Sequence, residues 1–275
     1  MTTSRRRKVR PESASAGGRA ALRVTAVSHA FRPPGSGRFS RRGELSPVLA
    51  NVSFSVAPGT LTALVGPSGC GKSTLLRILA GLVEPAAGGA AVGSVDLVGK
   101  PGGVAYHPQR DALLPWLRAL DNATLGAETC GRDRAEVRDE ALALLDRFGL
   151  AGQQDAWPDE LSGGMRQRVA LMRTFLMPQQ LLALDEPLGA LDALTRRRLQ
   201  RWLLEIVAED RRPTLLVTHD IDEALLLADQ ILVFSDRPGR IVHVENRPEP
   251  GTRFTEHETG GDREAAGRLL DVLGG

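Results

Sequence analysis

Nine consecutive residues set the first chemical expectation: Gly66-Pro67-Ser68-Gly69-Cys70-Gly71-Lys72-Ser73-Thr74, which fit the pattern GxxxxGK[ST]. An apolar run, LTALVG (61–66), precedes them, and a helical pattern runs on from Lys72 to Gly81, where glycine suits a C-cap. In that context the glycines allow successive backbone N–H groups to turn inward around phosphate oxygens, and the helix N-terminus adds partial positive charge. Lys72 would reach the β- and γ-phosphates, and the Ser73 hydroxyl would hold Mg²⁺. The chemistry expected is binding of a nucleoside triphosphate.

Two carboxylates supply the next pieces. LLALDEP (181–187) reads as an apolar strand ending in Asp185 and Glu186. Asp185 is placed to hold Mg²⁺ or its water, and Glu186 to take a proton from an attacking water. Leu161-Ser162-Gly163-Gly164 opens a helix, with Ser162 as its cap and the glycine N–H groups free to grip a phosphate. His219 ends the run TLLVTH, 34 residues after Asp185. Taken singly, these would be a solvated strand end, a capped helix and a structural histidine.

Together they resemble the ABC-type ATPases. LSGGM (161–165) is similar to that family's LSGGQ signature, with Met165 in the fifth place; LGALD (188–192) is similar to its D-loop, with Gly189 where serine is common. Gln109 resembles the Q-loop glutamine, although Pro108 stands where an aromatic residue is usual, and proline would stiffen that hinge. The resemblance covers about residues 20–246. It implies ATP and Mg²⁺, with Ser73, Gln109 and Asp185 at the metal and Lys72, Gln109, Glu186 and His219 in catalysis. Ser162, Gly163, Gly164 and Asp192 would act across a two-fold cassette dimer. Phe31 or Phe39 would stack on adenine.

Longer stretches resemble the nitrate/sulfonate/taurine group of importers: ALLPWLRALDNATLG (112–126), LSGGMRQRVALMR (161–173), PLGALDALTRRRLQ (187–200) and VTHDIDEALLLADQILVFSDRPGRI (217–241). Importers of pyrimidine precursors share these words. Only 86 residues separate Thr74 from Leu161, with no heptad run, which sets aside the coiled-coil ATPases of DNA repair. The expected partners are membrane-embedded permease subunits and, indirectly, a solute-binding protein. The alternative is a cytosolic ABC ATPase that moves no solute.

Composition agrees with such a role. Thirty-five basic against 33 acidic residues leave +2, so no global field favours nucleic acid. No stretch approaches the ~20 apolar residues needed to cross a bilayer, so another chain must do any spanning; the resemblance implies a place on the cytoplasmic side of the cell membrane, peripherally bound. Ser4-Arg5-Arg6-Arg7-Lys8 is followed by PESASAGGRAA rather than an apolar segment, which argues against export. Cys70 and Cys130 have neither disulfide nor zinc-ligand spacing. Cys70, inside the loop, is expected to lose nucleotide binding on alkylation, with MgATP protecting.

These residues need elements to hold them. Val52, Phe54 and Val56 alternate as on a half-buried strand, and Val137, Ala141, Leu144 and Phe148 share one helical face over 134–148. From residue 181 strands and helices alternate: 181–185, a helix from about Asp192 to Glu209, 214–219, a helix over 221–228, and 231–234. This pattern predicts an α/β fold with a mostly parallel sheet and a helical insert at about 107–178. The resemblance makes the core a RecA-like P-loop NTPase with an antiparallel β subdomain. The expected division is a basic arm over 1–19, the cassette over 20–248, and a tail over 249–275 with a weak amphipathic helix near 262–273.

Overall fold

The computed structural model describes residues 21–31, 45–189, 191–247 and 260–274. The expected arm, Phe39 and the first part of the tail lie outside the described residues. The chain begins with β1 (Leu22–Phe31), β2 (Ser46–Val56), β3 (Leu61–Val65), α1 (Lys72–Leu79), β4 (Ala87–Val92), β5 (Val95–Asp96) and β6 (Ala105–His107). Three helices follow: α2 (Ala119–Thr129), α3 (Arg134–Leu144) and α4 (Gly163–Leu176). The remainder is β7 (Leu182–Asp185), α5 (Ala193–Asp210), β8 (Thr214–Val217), α6 (Ile221–Leu227), β9 (Gln230–Phe234), β10 (Ile241–Asn246) and α7 (Gly260–Gly274).

A six-stranded sheet has the order β10-β9-β3-β8-β7-β6, parallel from β9 to β6, with β10 antiparallel at one edge. Every residue of β3, β7 and β8 is buried, which is why these strands read as continuous apolar runs. Their alternating side chains serve two cores. Ala63, Leu182, Leu184 and Leu216 pack toward α2–α6; Leu64, Ala183, Leu215 and Val217 pack toward α1 and the second sheet. That second sheet is antiparallel, in the order β2-β1-β4-β5.

The helix expected over 134–148 ends at Leu144; Phe148 lies beyond it in a turn and is still buried. There its ring meets Trp202 of α5 at 4.1 Å, and Trp202 meets Phe175 of α4 at 4.6 Å. Such edge contacts add ~1 kcal/mol each beyond burial, and they fasten α4 to α5. At the C-terminus α7 docks rather than trails. Ala265 and Leu269 enter the larger core, and Arg268 bonds Glu245 of β10 at 2.6 Å. No helix among the described residues is long and apolar enough to cross a membrane.

Candidate active site

Three loops leave the C-terminal ends of β3, β7 and β8 side by side, where open α/β sheets bind ligands. The loop after β3 needs its glycines. A Cβ on Gly66 would fall 2.8 Å from the Phe234 carbonyl, and one on Gly71 would fall 2.7 Å from Leu49 Cδ2, with both residues at positive φ. Lys72 curls over this loop, donating from Nζ to the carbonyls of Gly66 at 2.7 Å and Pro67 at 3.0 Å. Its ammonium is thereby folded back across the loop.

Ser73 Oγ donates to Asp185 Oδ1 at 2.8 Å. A hydroxyl and a carboxylate in contact are two hard oxygen donors, and Mg²⁺ is held by one or two such ligands with phosphates and water completing its shell. The residues therefore fit the ion. Asp185 is buried, and burial pushes its carboxyl up. Hydrogen bonds from Ser73 and Tyr106, and the charge of Arg77, pull the other way.

Glu186 is the strained residue of the site. Its φ is +51°, a left-handed conformation uncommon for a residue other than glycine. Its N–H donates to the Val217 carbonyl at 2.9 Å, and the side chain is met by two of the expected partners. Gln109 Nε2 donates to Glu186 Oε2 at 3.0 Å, and His219 Nδ1 lies 3.6 Å from the same oxygen. Gln109, Glu186 and His219, far apart in sequence, are thus brought together. Gln109 reaches the carboxylate through its amide nitrogen, which leaves the amide oxygen for the expected metal.

The signature residues serve their own helices. Ser162 Oγ accepts from the Met165 N–H at 3.2 Å, capping α4, and Asp192 caps α5 by accepting from the Thr195 N–H at 3.0 Å. Gly163 opens α4, and a Cβ on Gly164 would meet Leu191 at 3.4 Å. Phe31 ends β1, 42% exposed, its ring 4.5 Å from that of His29.

Several supporting residues carried no sequence signal. Tyr106 brings its hydroxyl to 3.3 Å from Asp185 Oδ2. Asn122, fully buried on α2, holds the strip after Gln109 by accepting from Leu114 N at 2.8 Å and donating to the Leu117 carbonyl at 2.8 Å. Arg166 and Arg173 of α4 hold Asp111, at its carboxylate (3.1 Å) and its carbonyl (2.8 Å). His107 is buried between Gln167 and Thr174, and burial drives its imidazole down to about 4.

Comparison with known proteins gives one consistent family. The model of the ABC transporter family matches residues 49–189. Among curated relatives, the taurine import ATP-binding protein TauB of Yersinia pestis is 41% identical over 232 residues, covering 83% of this chain and 91% of its own. The aliphatic sulfonates import ATP-binding protein SsuB 1 of Rhodococcus jostii is 47% identical over 206 residues, 73% of this chain and 80% of its own. The formylaminopyrimidine import ATP-binding protein ThiZ of Halalkalibacterium halodurans is 42% identical over 193 residues, 70% and 75%. Among solved structures, the dimeric ABC transporter cassette MJ0796 superposes with a TM-score of 0.73 at 26% identity, over 83% of this chain and 100% of its own. A second MJ0796 structure, a post-hydrolysis state bound to ADP and Pi, gives a TM-score of 0.72.

Proposed function

Because this chain belongs to the ABC transporter family, we propose that it is the ATP-hydrolysing subunit that energises an importer of small organosulfur or related solutes. The observation that carries the reading is the meeting of Gln109 and His219 on Glu186, beside the Ser73–Asp185 pair and the Lys72 loop. In this reading the loop N–H groups and Lys72 hold the phosphates. Glu186 takes the proton of the attacking water, with Gln109 and His219 fixing its carboxylate. Ser73 and Asp185, with the amide oxygen of Gln109, would hold Mg²⁺, which when bound offsets phosphate charge. Phe31 would stack on adenine.

In this reading two copies complete each site. A second copy is proposed to bring Ser162, Gly163, Gly164 and Asp192 to the γ-phosphate in a head-to-tail dimer. The dimeric MJ0796 cassette supports this arrangement. Pro115 and Trp116, exposed just beyond Gln109, are proposed to receive a helix of the permease, placing the subunit peripherally on the cytoplasmic face of the membrane. A solute-binding protein would act through that permease. Taurine- and sulfonate-import relatives favour organosulfur solutes; the pyrimidine-import relative supports the second reading, an aromatic precursor.

Phosphate release from ATP with Mg²⁺, abolished by EDTA, tests the enzyme. Co-isolation with detergent-solubilised membranes tests the partner: recovery of the full chain only in the soluble fraction would favour an ATPase that moves no solute. A thermal-shift screen of the co-isolated binding protein against alkanesulfonates, nitrate and pyrimidines tests the solute.

A further inference from the structure

Asp220-Ile221-Asp222-Glu223 has the form of a capping box, in which the acid at the third helical position returns its side chain to the N–H of the capping residue. The structure uses half of it. Asp220 Oδ1 accepts from the Glu223 N–H at 3.1 Å, but the Asp220 N–H goes to Thr218 Oγ1 at 3.0 Å. The Glu223 carboxylate is released from capping and turned inward.

There it is 5% exposed. Thr218 and Gln200 stand near enough as donors to favour its charged form, Arg196 supplies positive charge and Asp220 negative. Burial raises its pKa, and Oε1 is left without a hydrogen-bond partner. A buried carboxyl of this kind opposes stability, so helix formation alone does not account for it. Its surroundings do. Glu223 lines one small cleft together with Glu186, Thr218 and His219. Thr218 directly precedes His219, and Gln200 belongs to α5, whose cap is Asp192. The His219 side chain is 65% exposed, so packing does not fix it; the turn that carries it must.

We propose that Glu223 is a positioning residue of the hydrolytic site: its carboxylate ties α5 to the Thr218–His219 turn and so keeps His219 within reach of Glu186. A shift of about 1 Å in such a turn is enough to slow catalysis tenfold or more. The tie also links the residue expected to face the second copy, Asp192, to the chain's own histidine through a single helix.

The inference rests on His219 serving hydrolysis, and a double-mutant cycle on the full chain separates the two. Glu223→Ala should lower kcat about 10-fold, with KM for ATP and the affinity for a fluorescent ATP analogue within about twofold. Glu223→Gln keeps an acceptor oxygen and should restore most of the rate. In a His219→Ala background, Glu223→Ala should cost nothing further. A loss in that background as large as in the parent, or a parental kcat for Glu223→Ala, overturns the proposal. If His219→Ala itself turns over ATP at the parental rate, the assignment of His219 fails first, and this inference with it. Should Glu223→Ala not fold, Gln200→Ala cuts the same tie from α5; it should show the same non-additivity, and an additive loss overturns the proposal equally.

Discussion

Gln109 Nε2 and His219 Nδ1 converge on one oxygen, Glu186 Oε2, at 3.0 and 3.6 Å. Gln109 is the member whose neighbouring residues are tied to another element. Asp111, two residues on, is held by Arg166 at 3.1 Å, and Arg173 donates to the carbonyls of Asp111 and Ala112 at 2.8 and 3.0 Å. Both arginines belong to α4, the helix capped by Ser162. Charged and amide contacts thus connect α4 to the segment that carries Gln109, beside the apolar packing of α4 on the larger core.

The same helix is pinned to β6 by His107, whose imidazole is buried and held neutral, with a pKa of about 4. In the unfolded chain a histidine titrates near 6.5, so between pH 6.5 and 4 the unfolded state binds more protons than the folded state. Stability is fully present above pH 6.5 and is lost as pH falls through that window, by about 2 kcal/mol at pH 5. His107→Gln removes this dependence. Urea unfolding at pH 7 and pH 5 should show a smaller stability difference for the variant than for the parent; equal differences would show that His107 does not titrate this way.

Much of the site is readable because its chemistry demands fixed residue types in series. Gly66 and Gly71 cannot carry a Cβ without striking Phe234 and Leu49, so the phosphate loop is written in the sequence itself. Strands β3, β7 and β8 are buried throughout and announce themselves as apolar runs. Tyr106, Asn122 and Glu223 are of another kind. Each matters because the fold brings it to a residue distant in sequence or turns it from a local role, and neither spacing nor type reveals that. Glu223 is the sharpest case, since its sequence pattern points to a capping box that its side chain does not make. The left-handed backbone at Glu186 is equally invisible in LLALDEP.

Trp116 is 68% exposed, while Leu113 packs against the core and Asn122 fixes the backbone of Leu114. A large aromatic held outward on an anchored strip is not part of the core, and the proposed permease contact gives it a role. Trp116→Ala should weaken assembly with the permease by about 10-fold or more, while the isolated subunit keeps its melting temperature and its ATPase rate to within about twofold. Parallel loss of rate and melting temperature would place Trp116 in the fold instead.

Cys70 is expected from its place in the loop to be open to alkylation, but it is 1% exposed, with Sγ 3.6 Å from Lys72 Nζ. Cys130 is exposed, and its Sγ accepts a hydrogen bond from Gln179 at 3.0 Å. Thiolate reactivity requires access. Thiol titration of the native chain should therefore give one fast equivalent, lost in Cys130→Ser, and one slow equivalent, lost in Cys70→Ala and further slowed by MgATP. A fast equivalent that survives Cys130→Ser would mean that the phosphate loop opens readily.

Glu186 is the residue on which the proposed chemistry depends most directly. Its carboxylate accepts from Gln109, faces His219, and follows Asp185, which already holds Ser73. Glu186→Gln preserves length and one acceptor oxygen but cannot take a proton from water. ATP binding should survive while the chemical step slows by ~10²–10⁴-fold, the usual cost of losing a positioned base. With hydrolysis blocked, two copies should remain closed around ATP, so that the variant elutes as a dimer in ATP and as a monomer without it. Lys72→Ala should lose nucleotide affinity and dimerisation together, because its ammonium is the charge aimed across the phosphate loop. Single-turnover phosphate release, read beside elution volume, separates these outcomes. A Glu186→Gln chain that hydrolyses ATP at close to the parental rate would remove Glu186 from the role of base and leave its strained backbone without that explanation.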